Sequence, residues 1–265
     1  MIYTDQLNRK IEVFEAPKRI ISLVPSQTEL LVTLGLEDAI VGITKFCVHP
    51  KWLRKEKTIV GGTKKVNYDK IRKLNPDIIL CNKEENTKEI VENLEKEYAV
   101  HVSDIFSVED ATNMIQQYGE IFKMENEVNK LVSKIEAEQR LFKKQVANNP
   151  KKKVGYFIWK DPWIAVGANT FIDHLLELNN FENVFASKNR YPEVSLEEIN
   201  ALGEQDLILL SSEPFPFSEK HILEIQKINQ RAKVLLVDGE YFSWYGSRLA
   251  DAFSYFKTLH KQNIR

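Results

Sequence analysis

Only two cysteines, Cys47 and Cys81, occur in 265 residues. Cys81 closes an apolar run and reads as a small buried residue, whereas Cys47 lies in a polar segment, so a disulfide framework is excluded and a bond between these two has little support. Apolar runs long enough to cross a bilayer are missing. The first residues, Met1-Ile-Tyr-Thr-Asp-Gln, have neither the basic head nor the apolar middle of a signal peptide, and as encoded the chain reads as cytoplasmic. An excess of one charge is also lacking. The 37 basic and 38 acidic residues nearly cancel, no basic run carries interleaved aromatics, and Lys151-Lys-Lys153 is a solvated turn, so nucleic acid is excluded as a partner. There is no glycine-rich phosphate loop, no dinucleotide fingerprint, no pair of zinc histidines and no nucleophile elbow. No residue is therefore assigned a catalytic role, no metal site is assigned, and no cofactor is required.

What is present is a repeat. Lys70-Ile-Arg-Lys-Leu-Asn-Pro-Asp-Ile-Ile-Leu80 is echoed at Glu198-Ile-Asn-Ala-Leu-Gly-Glu-Gln-Asp-Leu-Ile-Leu-Leu210. Each copy reads as a short helix, a polar turn closing on an aspartate, and an apolar strand, and each aspartate precedes a glutamate at the same offset: Asp77 to Glu84, Asp206 to Glu213. With 43% hydrophobic residues the chain can fill two ordinary cores, and the repeat favours two related lobes.

Residues 2–14 alternate as a terminal hairpin. Ile20–Val24 is a β-branched strand, followed by a helix to Leu34 in which Ser26 and Glu29 have capping-box spacing and Gly35 is the stop. Strands are expected at 39–43, 78–81 and 100–102, with helices at 68–74 and 87–97. Such alternation predicts a parallel sheet with helices on both faces, an α/β fold of two Rossmann-like lobes. Apolar residues then recur at steps of three and four from 108 to 148, giving one helix to Phe122 and a longer one from Glu125 to Ala147, which Asn149-Pro150 ends. The second lobe offers strands at 153–159, 164–166, 206–210 and 234–237, and helices at 171–178, 219–228 and 247–261. The expected division is a lobe of residues 1–122, a linking helix of 123–149 and a lobe of 150–265.

Three clusters carry potential chemistry. In Phe46-Cys-Val-His-Pro50, the thiol of Cys47 and the imidazole of His49 have the spacing to reach one metal, in the protein or in a ligand; the alternative is a polar loop whose histidine bonds to backbone. The second cluster is aromatic and follows strands: Trp159, Trp163, Phe215, Phe217, Tyr241, Phe242, Trp244 and Tyr245. Loops beyond the carboxyl ends of parallel strands line ligand crevices, so these residues, with Pro25, Ser26, Phe46, Cys47, His49 and Tyr68, are the candidate walls for a large planar ligand. The alternative is that the aromatics cap the core. The third cluster is acidic, with Glu84 and Glu85 matched by Glu213. Ser247-Arg248 reads as capping for the last helix.

Arg19-Ile-Ile-Ser-Leu-Val-Pro-Ser-Gln-Thr-Glu-Leu-Leu, Gly61-Gly-Thr, Ile71–Leu80 and Leu196–Leu210 together resemble the helical-backbone (class III) substrate-binding proteins of ABC transporters, the cobalamin-binding branch above all. The resemblance implies two α/β lobes joined by one long backbone helix, a corrinoid in the cleft, and no enzymatic activity. It also implies a monomer that docks onto an ABC permease dimer through one acidic residue per lobe. That role falls to Glu84 or Glu85, with Glu89 as rival, and to Glu213. Related families bind iron siderophores and haem, for which the loop cations would be Lys45, Lys64, Lys65, Lys160 and Arg190. A metal-dependent enzyme using Cys47 and His49 is a further alternative. Family members work in the periplasm or at the cell surface, whereas this chain as encoded shows no export signal. Its Cys47-Val-His49 loop also differs from the tyrosine- or serine-bearing loop of the better-known cobalamin binder.

Overall fold

The computed structural model describes residues 1–204 and 206–263. The chain opens with an antiparallel hairpin of β1 (Ile2–Thr4) and β2 (Lys10–Glu12). There follow β3 (Ile20–Ser22), α1 (Pro25–Thr33), β4 (Ile40–Ile43), α2 (Leu53–Glu56), β5 (Thr58–Ile59), α3 (Tyr68–Leu74), β6 (Ile78–Asn82), α4 (Lys88–Leu94), β7 (Ala99–Ser103) and α5 (Val108–Phe122). The strands form a parallel sheet in the order β5-β4-β3-β6-β7. Every residue of β3 and β6 is buried, as expected of strands covered on both faces.

Side chains that satisfy free backbone N–H groups start most of these helices. Asn67, Thr87 and Ser107 accept from the backbone N–H of Lys70, Ile90 and Asp110. Helices α1 and α2 start without a side-chain cap, and α1 shows why. Its first residue is Pro25, which lacks an N–H, and no side chain caps it; the expected Ser26–Glu29 capping box is not formed, and Glu29 pairs with Arg248 instead.

Helix α6 (Glu125–Val146) follows after Lys123 turns the chain in the left-handed region at φ 61°. A Cβ at Gly119 of α5 would lie 3.2 Å from the Val128 side chain, so glycine is what lets α6 pack this closely on α5. The chain divides into two compact units inside α6, between Ile135 and Glu136, and not at the ends of the helix. The physical reason is that Val128, Val132 and Ile135 are core residues in the first half, while Phe142 in the second half packs on Phe253, Phe256 and His260. Residues Trp244–Ala250 also belong to the first unit; the second comprises Glu136–Ser243 and the chain from Asp251.

In the second unit the elements are β8 (Lys152–Trp159), β9 (Ile164–Ala165), α7 (Phe171–Leu178), β10 (Phe181–Asn183), α8 (Leu196–Asn200), β11 (Leu207–Ser211), α9 (Glu219–Ile228), β12 (Lys233–Val237), α10 (Glu240–Ser243) and α11 (Leu249–Asn263). Parallel strands run in the order β10-β8-β11-β12, with β9 antiparallel on β8. The sequence repeat is a structural one. Units α3–β6 and α8–β11 both deliver a fully buried strand to the interior of their sheet. Their aspartates act differently, however: Asp77 accepts from the backbone of Lys18 and Arg19, and Asp206 from its own turn at Gly203.

Candidate ligand-binding site

Beyond the carboxyl ends of the first sheet lies a buried polar floor. Gln27 Nε2 donates to Ser103 Oγ at 2.7 Å, and the Tyr118 hydroxyl donates to Gln27 Oε1 at 2.9 Å. Asn82 Nδ2 donates to Ser103 O and Oγ, while its Oδ1 accepts from the backbone of Glu84 and Glu85. Burial pushes the Tyr118 and Tyr245 hydroxyls far above their ordinary range, so both remain neutral.

The loop after β4 lies at the edge of this floor. Phe46 is 48% exposed, and the Lys45 ammonium sits 4.9 Å from its ring centre. Cys47 is fully buried, with Sγ 3.1 Å from Thr28 Oγ1 and 3.3 Å from Thr44 Oγ1. Burial pushes this thiol up, away from the thiolate that a soft metal or a nucleophile needs. His49, two residues on, is half-buried and meets the Trp244 ring edge-on at 5.4 Å. The Arg248 guanidinium lies 4.9 Å from the Trp244 ring centre and pairs with Glu29. Ser247 does not cap the last helix; its hydroxyl is buried and finds no hydrogen-bond partner among the described residues.

In the second unit, Trp159 is 40% exposed at the end of β8 and meets Phe215 edge-on at 5.6 Å. Trp163 stacks on Phe217 at 5.9 Å with an interplanar angle of 9°. Tyr241 stacks on Tyr255 at 4.6 Å, while Phe242 fills the core against Tyr156 and Phe256.

The candidate wall residues thus divide. Phe46 and Trp159 are exposed, and Pro25, His49, Tyr68, Trp163, Phe215 and Tyr241 are partly so. Ser26, Cys47, Phe217, Phe242, Trp244 and Tyr245 are buried.

Among the acidic candidates, Glu89 is exposed in the first turn of α4, and Glu84, Glu85 and Glu213 are half-buried. Glu213 Oε1 accepts from Ser243 Oγ at 2.5 Å. The chain passes so close here that a Cβ at Gly239 would sit 2.2 Å from Ser211 Oγ and 2.8 Å from Glu213 Cγ. Among the described residues, no three His, Cys, Asp or Glu side chains are grouped so as to hold a metal ion, and no helix is long and apolar enough to cross a membrane.

The sequence profile of a family described as periplasmic binding protein matches residues 20–234. The chain belongs to this family. It is 26% identical over 212 residues to the uncharacterized ABC transporter substrate-binding lipoprotein YvrC of Bacillus subtilis, covering 77% of this chain and 67% of that protein. It is 27% identical over 188 residues to a vitamin B12-binding protein of Vibrio vulnificus, covering 69% and 67%. Its fold matches the crystal structure of a periplasmic haem-binding protein from Pseudomonas aeruginosa with a TM-score of 0.79 at 20% identity, over 91% of this chain and 92% of that one. The family is one of transport binding proteins, of the kind that serve ABC importers.

Sequence reasoning missed the connection from Glu29 through Arg248 and Trp244 to His49. Its partners are 219 positions apart, and nothing in local spacing links them.

Proposed function

We propose that this protein is the substrate-binding component of an ABC importer, that it takes a corrinoid of the cobalamin type, and that it delivers this ligand to a permease dimer. The observation that carries the reading is the placement of Phe46 and Trp159. Phe46 is left 48% exposed on the loop after β4, and Trp159 40% exposed as the last residue of β8, each a large apolar ring at the carboxyl end of a strand of a parallel sheet. Exposed flat apolar surface at that edge of an α/β sheet is what a macrocycle of low polarity would cover. His49, half-buried in the same β4 loop as Phe46, is a neutral-nitrogen donor suited to the central metal of such a ligand. The similarity in sequence to a vitamin B12-binding protein supports the corrinoid over other chelates. Catalysis by Cys47 with His49 has no support, since the thiol is sealed between two threonines. The site of action would be the periplasm or the cell surface, with the protein as a monomer.

Titration with cyanocobalamin, followed by quenching of tryptophan fluorescence, tests the reading. Saturable quenching at micromolar ligand is expected, and no binding at about 100-fold higher concentration would overturn it. One observation favours a second ligand. Lys45, Lys64 and Lys65 are all exposed around the Phe46 loop, and this local positive charge suits the carboxylates of haem or of an iron chelate. Haemin that binds in place of cyanocobalamin, with a histidine-type absorption spectrum lost in His49→Ala, would transfer the assignment to haem.

A further inference from the structure

At the amino edge of the second sheet, far from the aromatic loops, is a cavity of about 260 Å³ lined in part by Gln145, Asn149, Lys152, Asn180, His260 and Lys261. Lys152 opens β8 and Trp159 closes it, so about 23 Å of strand separates this cavity from the candidate ligand loops. We infer that the cavity is a second binding site, for a small carboxylate-bearing anion held by Lys152 and Lys261.

The construction of its floor supports this. His260 is 7% exposed, its Nε2 lies 3.1 Å from Asn179 Oδ1, and its ring stacks on Phe181 at 5.2 Å and 17°. Asn179 is fully buried and donates to Leu175 O at 2.8 Å. The imidazole is therefore held in one orientation, and burial together with the nearby Lys152 ammonium pushes it down to about 4, leaving it neutral at pH 7. Among the described residues, the remaining charge of the lining is that of two lysines, and no carboxylate lines the cavity.

One effect opposes an anion. Helices α6, α7 and α11 all end here, and a helix carboxyl end carries roughly half a negative charge that decays within a turn. Much of that polarity is already answered from within: Asn180 Nδ2 donates to Asn149 O at 2.9 Å and Asn179 Nδ2 to Leu175 O. Lys261, in the last turn of α11, also has a structural explanation as a dipole partner. Lys152 does not, because it begins a strand. The side-chain amides of Gln145 and Asn149 add neutral donors suited to carboxylate oxygens. The volume lies below the roughly 300 Å³ at which drug-sized pockets begin, which restricts the ligand to a small acid.

Citrate serves as the probe, added to the intact protein at pH 7 against sodium chloride of equal ionic strength. The readouts are the His260 ring resonances by NMR and the thermal midpoint. Saturable shifts with a dissociation constant of about 1 mM or tighter are expected. Lys152→Gln and Lys261→Gln should each weaken citrate about fivefold or more while leaving the cyanocobalamin titration unchanged, and Lys152→Gln should also leave the citrate-free midpoint unchanged. Absence of a saturable shift overturns the inference. So does a shift that persists in the double lysine variant, which would be a general salt effect. Because the lysines lie outside the aromatic loops, failure here leaves the corrinoid reading standing, and failure of that reading leaves this one intact.

Discussion

Arg248 and Glu29, 219 positions apart in sequence, meet as a two-pronged ion pair, with Arg248 Nη2 2.6 Å from Glu29 Oε1 and Nε 3.1 Å from Oε2. Both side chains are largely covered, at 13% and 21% exposure, and the guanidinium also lies over the Trp244 ring. The pair fastens the returning segment Trp244–Ala250 to helix α1 within the first unit. Removing one partner breaks a charge pair that is largely shielded from water, so Arg248→Ala and Glu29→Gln should each lower stability by about 2–4 kcal/mol in urea denaturation. Arg248→Lys should recover less than half of the loss, because an ammonium can reproduce neither the fork nor the stacking. Equal stability of Arg248→Lys and wild type would show that only a point charge is needed.

The two tryptophans at the heads of these loops should separate binding from folding. Trp159 is 40% exposed and Trp244 is 7% exposed. Trp159→Ala should weaken cyanocobalamin about tenfold or more, with a stability change below about 1 kcal/mol. Trp244→Ala should instead cost about 3–5 kcal/mol, as truncation of a buried aromatic does. Affinity unchanged in Trp159→Ala would remove that loop from the ligand site.

The pattern of these residues explains what could be read in advance. Helices such as Tyr68–Leu74, Phe171–Leu178 and Glu219–Ile228 were legible to the residue, because apolar spacing, an N-terminal Asn, Thr or Ser, and a polar stop agree. The two-residue strand β5, the three-residue β10 and the four-residue helices α2 and α10 carry no periodicity, and they owe their geometry to neighbours distant in sequence. The exposure of the candidate wall residues was less legible for a similar reason. Sequence position places aromatics after strands, but burial is set by the fold: Phe215 and Phe217 are two residues apart, yet Phe215 stays partly open while Phe217 is 6% exposed. The boundary inside α6 was hidden because the helix is continuous while its core partners change.

Stability should fall on mild acidification. Burial lowers the proton affinity of His101 and His260, the latter to about 4, whereas in the unfolded chain both titrate near 6.5. Below pH about 6.5 the unfolded state therefore binds more protons than the native state, and stability decreases as pH falls, by at most about 1.4 kcal/mol per pH unit for each histidine. The loss for His260 ends near its native value. Urea midpoints between pH 6.5 and 5, above the range where most carboxylates titrate, should show this slope, and His101→Gln should reduce it. Among the described residues, Gln117 Oε1, 3.0 Å from His101 Nε2, is the polar partner that this variant must still satisfy. A flat profile across that window would mean that the native state admits protons to both rings.

Docking onto a permease, if it uses one acidic residue on each unit, has an uneven pair of candidates. Glu89 stands exposed in the first turn of α4, where a carboxylate complements the helix dipole by only about 0.5 kcal/mol. Glu84 and Glu85 are more covered, and their backbone N–H groups are engaged by Asn82. Glu213 is tied to Ser243 at 2.5 Å, so its carboxylate is already oriented before any partner arrives, as a residue offered to an arginine fork should be. Glu89→Lys and Glu213→Lys should leave the affinity for cyanocobalamin in solution unchanged and abolish ligand-dependent uptake or capture of the permease. Ser243→Ala, which keeps the charge of Glu213 and removes its tether, should weaken capture only a few-fold. If Glu213→Lys lowers ligand affinity, the residue faces the ligand; if Glu89→Lys transports normally while Glu84→Lys or Glu85→Lys does not, the contact on the first unit lies in the β6–α4 loop rather than on the helix.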